Sequence, residues 1–411
     1  MDYRENYKLW LEEKSLDPKL RAELEAIADD PREQEERFYT ELEFGTAGLR
    51  GIIGAGTNRM NIYVVRRTTQ GLADYLKTFP GGPERGVAIA YDSRHMSDVF
   101  AKETALVLAQ NGIKAYLYST LHSVPQLSFT VLHLNCMAGV VINASHNPPE
   151  YNGYKVYWED GAQITAPKDV EIVAEVKAIT DYHTVKTMSE ADAKAQGLLA
   201  IIGKEIDDAY MVELKKQIVH PEIIKEVADE IKIVYTPLHG TGLVPVKRVL
   251  SELGFKNVYV VPEQELPDPE FTTLAYPNPE DPAAFELAIK LAKEVGADII
   301  LATDPDADRL GVYALDTKSG EYVSFTGNMS GMLIAEYLLR EKTKTGTMPE
   351  NPALVKTIVT TNMADVMTKA YNVKEIEVLT GFKYIGEQIK LFEQNHTYTV
   401  SYTHLTLPTI A

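Results

Sequence analysis

Strand, helix and strand recur in that order three times along this chain, and the repetition restricts the fold to tandem α/β units. The first copy is residues 87–92, a helical stretch to Gly112, and a strand over 115–118. The second is 232–235, a helix to Gly254, and a strand over 258–261. A third, looser copy runs 355–359, 363–370 and 375–379. Such alternation predicts three-layer α/β units with mixed, largely parallel sheets, their loops turned toward a shared cleft.

The repeat reaches into the loops that follow the next strands. Residues 138–146 overlay 297–305 without a gap, so Ser145 and Asp304 fall at equivalent strand ends. Loops at the C-terminal ends of strands in open α/β sheets are where ligands bind. The third equivalent loop is expected after the strand-like residues 396–400, but there the sequence changes character. Residues 401–411 contain no Asp, Glu, Lys or Arg, which makes them an atypical, foreign-looking tail.

The expected domains are an N-terminal helical extension at 1–42, a serine-loop domain at 43–200, an acidic-loop domain at 201–320 and a partial third domain at 321–400. Asp30-Pro31 reads as a helix start. Residues 168–228 read as a charge-mixed helical stretch linking the first two units. The Pro-rich stretch 262–282 reads as a long ordered loop.

Two loops carry chemistry. Ala144-Ser145-His146-Asn147-Pro148-Pro149 holds one hydroxyl on a stiff strand-to-turn junction; as a phosphoserine it would be a transferable phosphoryl group, and as a plain serine it would cap a turn. Asp304-x-Asp306-x-Asp308 puts three carboxylates close together, where they repel unless a hard cation such as Mg²⁺, Mn²⁺ or Ca²⁺ holds them. An EF-hand fails, because Arg309 stands where Gly is required and Leu315 where Glu is. Arg309 is placed to pair with a carboxylate or a substrate phosphate.

Other cations stand at strand ends. Arg94 ends the first copy's opening strand, Lys155 follows the serine loop, and Lys383 with Gly381 follows the third copy's last strand. Arg50 lies in the Gly-rich run 45–51, whose backbone N–H groups can approach an anion. His239 reads as a loop-fixing histidine. Cys136, the one cysteine, reads as a buried hydrophobe and excludes an internal disulfide.

A net charge of −18 argues against non-specific nucleic-acid binding. The charged start and the lack of any long apolar run argue against a leader or a membrane span, so the expected compartment is the cytoplasm. Oligomeric state is left open.

Together these segments resemble the α-D-phosphohexomutase superfamily, within it the long-chain phosphoglucomutase and phosphopentomutase branch. The run 45–51, the serine loop into Asn152-Gly153-Tyr154-Lys155, residues 235–242, Asp304 to Arg309 and Thr380-Gly381-Phe382-Lys383 occur in that family's order. The resemblance implies an isomerase that interconverts glucose 1-phosphate and glucose 6-phosphate. Phosphopentomutase, phosphomannomutase, a metal-dependent phosphatase and an inactive fragment are the alternatives. It implies that Ser145 is carried as phosphoserine and joins Asp304, Asp306 and Asp308 around Mg²⁺. Arg50, His146 and Lys155 then work on the transferring group, and Arg94, Arg309, Gly381 and Lys383 bind the sugar phosphate. Glucose 1,6-bisphosphate is the implied intermediate and activator. The family's third sugar loop and fourth domain are absent from the sequence, so the chain is expected to be incomplete.

Overall fold

Asp17-Pro18 and Asp30-Pro31 each start a helix for the same reason: the carboxylate accepts two orphan backbone N–H groups, and proline lacks the one it would otherwise waste. Asp17 caps α2 (Pro18–Ala26) through Lys19 and Leu20, and Asp30 caps α3 (Pro31–Phe38) through Arg32 and Glu33. The computed structural model describes residues 2–43 and 48–395. The chain forms two units, Met1–His122 with Leu127–Gly203, and Lys204 onward with Ser123–Gln126.

In the first unit, the N-terminal helices share the core of the α/β layer. Trp10 of α1 (Tyr3–Glu12) is 4% exposed and meets Phe38, Tyr63 and Tyr182 edge-on, with ring centroids 5.6 to 5.8 Å apart. Tyr63 belongs to α4 (Ile62–Leu76), so the aromatic cluster staples the extension to the sheet's covering helix.

His183 is wedged between the rings of Tyr63 and Trp10, 4.6 and 5.2 Å away, and neither ring nitrogen has a hydrogen-bond partner among the described residues. Burial pulls its pKa below the usual value of 6.5, partly opposed by Glu13 and Asp181. The unfolded chain therefore binds the proton more readily than the folded one. Stability from this group is intact above the unfolded pKa and is lost as pH falls through it. Urea melts between pH 7.5 and pH 5 (from about one unit above the ordinary His pKa to about one and a half below it) should show a loss that His183→Phe reduces; an unchanged slope would contradict the assignment.

The first sheet contains β1 (Leu49–Ile52), β2 (Val87–Tyr91), β3 (Ala115–Tyr118), β4 (Ala138–Ile142), β5 (Tyr151–Trp158) and β6 (Leu199–Ile202), in the order β1-β5-β4-β2-β3-β6. β6 corrects the expected all-helical link over 168–228. Helices Lys168–Ala178, Glu190–Ala195, Lys204–Lys216 and Pro221–Val227 are present, but Leu199-Ala200-Ile201-Ile202 pairs in parallel with β3. The physical signal was there: a short apolar run directly after Gly197, which takes φ 70°.

The second unit repeats the plan. Its sheet holds β7 (Lys232–Thr236), β8 (Asn257–Val260), β9 (Ile299–Thr303), β10 (Leu310–Asp316) and β11 (Glu321–Phe325), ordered β11-β10-β9-β7-β8. β4 lies between parallel β2 and antiparallel β5; β9 lies between parallel β7 and antiparallel β10. Even the register recurs, because Ile89 pairs with Val140 as Ile233 pairs with Ile299. The gapless overlay of the two loops is thus a property of the sheets. The third copy supplies a parallel pair, β12 (Ala353–Thr357) and β13 (Lys374–Val378), with helix Met363–Tyr371 between them.

The Pro-rich stretch is held in place by side chains. His239 Nδ1 donates to Leu266 O (2.9 Å), its Nε2 shares a hydrogen bond with Thr273 Oγ1 (2.9 Å), and Asp268 accepts from Thr272. Cys136 is fully buried, and burial pushes its thiol up to about 12. Among the described residues no helix is long and apolar enough to cross a membrane.

Candidate active site and metal centre

The Ser145 backbone sits at φ 51°, a left-handed conformation that costs an L-residue roughly 1 to 3 kcal/mol. Its surroundings impose that geometry. β4 ends at Ile142, Asn147 N–H closes a turn onto Ala144 O, and Pro148-Pro149 stiffens the exit. The hydroxyl lies 3.2 Å from His146 Nδ1, and the residue as a whole is 4% exposed. A neighbouring imidazole at that distance can move a proton to or from Oγ.

Two further expected residues flank this loop. Arg50 stands on β1, paired with Gly153 of β5, and its Nη1 donates to Asn147 Oδ1 at 2.7 Å. Lys155, on β5 opposite Val141 of β4, is 5% exposed. Gly153 is required between them: a Cβ there would lie 2.5 Å from Asn143 O and 2.7 Å from Leu49 O. Arg50 and Lys155 are thus held on β1 and β5, and Ser145 and His146 on the loop that follows β4, the third of these neighbouring strands. Arg94, expected at the sugar phosphate, also reaches this loop. Its guanidinium is buried and turned onto the serine loop's own carbonyl groups.

The acidic loop of the second unit wraps around its first carboxylate. Asp304 Oδ1 accepts the backbone N–H groups of Asp308 (3.1 Å) and Arg309 (3.0 Å), and Ala307 turns the chain at φ 53°. Asp304 and Asp306 are 0% and 1% exposed, and each of the three aspartates offers an oxygen within 4.8 Å of the others. Burial and the neighbouring Asp306 and Asp308 carboxylates hold the Asp304 carboxyl well above the usual carboxylate range. A compact, all-carboxylate donor set under that strain fits a hard divalent cation.

Arg309 is the local counter-charge, with Nε 3.8 Å from Asp304 Oδ2 and 4.0 Å from Asp308 Oδ1. Its Nη1 is 3.5 Å from Glu280, a partner that sequence reasoning missed. The hint was position: Glu280 closes the Pro277-Asn278-Pro279 stretch of the ordered loop. Asp92 and Thr241 were also missed. Each is a polar residue in a loop that follows a strand, indistinguishable in sequence from a turn former.

Gly381 takes φ 128° and leads into helix Phe382–Asn395, where Lys383 is 8% exposed. Most of the Gly-rich run before Arg50 (45–47) and the third loop expected after 396–400 lie outside the described residues.

Comparisons with known proteins agree with this layout. Three family models match in chain order: phosphoglucomutase/phosphomannomutase α/β/α domain I over residues 41–183, domain II over 208–317 and domain III over 326–406. A phosphoglucomutase of Staphylococcus epidermidis is 37% identical over 381 residues, covering 92% of this chain and 67% of the relative. A phosphoglucomutase of Staphylococcus haemolyticus is 36% identical over 370 residues, covering 90% and 65%. The chain therefore spans about two thirds of the length of these relatives. In fold it is similar to a putative phosphomannomutase from Thermus thermophilus (TM-score 0.67, 23% identity, 86% of this chain and 72% of that one). It is also similar in fold to parafusin, a Paramecium phosphoglucomutase in an open form (TM-score 0.64, 16% identity, 86% and 65%).

Proposed function

Because the chain belongs to the phosphoglucomutase/phosphomannomutase family as a phosphosugar mutase of the phosphoglucomutase type, we propose that it carries the residues for interconverting glucose 1-phosphate and glucose 6-phosphate. The observation that supports this best is the serine loop: a hydroxyl in a left-handed turn, beside His146, flanked by Arg50 and Lys155.

Phospho-Ser145 gives its phosphoryl group to the free hydroxyl of the sugar monophosphate. The P–O bond to Ser145 breaks, a P–O bond to the sugar forms, and the sugar hydroxyl's proton leaves as Ser145 Oγ regains one. Glucose 1,6-bisphosphate results, and return of its other phosphate to Ser145 completes the cycle. His146 Nδ1 handles the proton at Oγ. Arg50 and Lys155 balance the charge spread over the transferring phosphoryl oxygens, the main task of a protein in this chemistry. Asp304, Asp306 and Asp308 would hold Mg²⁺, which when bound would neutralise phosphate charge. Arg309, Gly381 and Lys383 serve the sugar phosphate.

The test is an assay with glucose 1-phosphate, Mg²⁺ and catalytic glucose 1,6-bisphosphate. Glucose 6-phosphate is the expected product. Release of inorganic phosphate instead would make the chain a phosphatase, and no reaction would overturn the proposal for this chain.

A further inference from the structure

One arginine of the first unit turns its guanidinium onto main-chain oxygens. Arg94 Nη1 donates to Pro148 O (2.7 Å) and Tyr151 O (3.1 Å), and Nη2 donates to Ser145 O (2.7 Å) and Asn147 O (2.5 Å). Its Nε lies 3.3 Å from Asp92 Oδ2, and the side chains of Arg94 and Asp92 are 0% and 1% exposed. Asp92 is fixed in turn: its Oδ1 accepts from Arg94 N–H (3.0 Å) and Ser97 Oγ (2.7 Å), while Asn152 Nδ2 donates to Ser97 Oγ and to His95 O. The guanidinium therefore forms the template around which residues 145–151 are folded.

The second unit uses a related device at the equivalent place. Thr241, in the loop after β7, donates to Pro305 O from both N–H (2.8 Å) and Oγ1 (2.9 Å). Gly240 approaches so closely that a Cβ would sit 2.3 Å from Pro305 Cα. In each repeat the loop after the parallel neighbour strand grips the carbonyls of the chemistry-bearing loop.

We infer that Arg94 is a positioning residue: with Asp92 it holds the Ser145 loop in its left-handed turn whether or not the serine carries phosphate, and it does not contact the sugar. Charge is not its contribution, since Asp92 neutralises it in a buried pair. Geometry is. A planar fork with fixed donors can collect four carbonyls, which a lysine ammonium cannot reproduce. The kinetic consequence rests on the phosphoryl-transfer function proposed above; the loop geometry does not.

Amide hydrogen exchange and single-turnover phosphorylation decide the matter together. In the native chain, residues 145–151 should be protected like β4 and unlike exposed loops. In Arg94→Lys the same loop should exchange faster by on the order of tenfold while β2 and β4 keep their protection. Transfer from glucose 1,6-bisphosphate to Ser145, followed by intact mass, should slow on the order of 100-fold with half-saturation changed by less than about threefold, as expected for misplacement of a reacting atom. A rise in half-saturation at unchanged rate would make Arg94 a sugar contact and overturn the inference. So would a native loop that exchanges as fast as exposed segments, a result that needs no variant to fold. If the native chain takes up no phosphate, the proposed reaction falls, and the exchange result still decides the clamp.

Discussion

Ser145→Ala should abolish turnover of glucose 1-phosphate, by on the order of 10⁴-fold or more, while leaving the fold intact. The magnitude follows from the role: a group that bonds covalently to the transferring phosphoryl has no partial substitute. Stability should change little. Alanine meets the same left-handed backbone cost at φ 51° as serine, and the 3.2 Å hydrogen bond to His146 that it gives up is worth about 1 kcal/mol. Thermal unfolding and intact mass after incubation with glucose 1,6-bisphosphate check both halves. An alanine variant that still gains a phosphoryl group, or still turns over, would place the carrier elsewhere.

Asp304→Asn should separate stability from metal response in opposite directions. The native carboxyl is buried beside Asp306 and Asp308, so its folded pKa lies above its unfolded value. The sign is then fixed. Without a divalent ion, the folded state holds this proton more tightly, and stability is lost as pH rises from the usual carboxylate range through the raised folded pKa. Asparagine keeps an oxygen for the N–H groups of Asp308 and Arg309 but removes one of three like charges. The metal-free variant should therefore be more stable than the native chain at neutral pH. The native protein should gain about 2.7 kcal/mol when Mg²⁺ is raised to 100 times its dissociation constant, and Asp304→Asn should gain almost none. Because the ion needs ionised carboxylates, native affinity should strengthen with pH across the same window. Calorimetric unfolding with and without Mg²⁺ measures all three, and a variant that responds to Mg²⁺ like the native chain would remove Asp304 from the site.

Much of this was legible in the sequence because the repeat is written in residues that also set the local structure. The overlay of 138–146 on 297–305 survives as a shared pairing register, since a one-residue slip would turn the buried residues of each strand to the wrong face. Asp30-Pro31 was readable for the same reason: cap and proline act within one turn. What escaped was non-local. β6 is a strand because β3 offers it an edge, which 168–228 does not announce. Arg94 was located correctly at a strand end, but whether a guanidinium turns outward to a ligand or inward to carbonyls depends on a loop more than 50 residues later. Glu280 likewise gains meaning only when its loop returns to Arg309.

The matched register of β4 and β9 has a consequence for how such a chain can change. Ser145 and Asp304 each lie five positions beyond paired residues, Val140 and Ile299, that have the same neighbours in both sheets. The strands act as interchangeable sockets, and the loops as inserts that can be rewritten without disturbing a single ladder hydrogen bond. One loop carries a hydroxyl and the other three carboxylates on the same strand frame, so each can be altered without refolding its host.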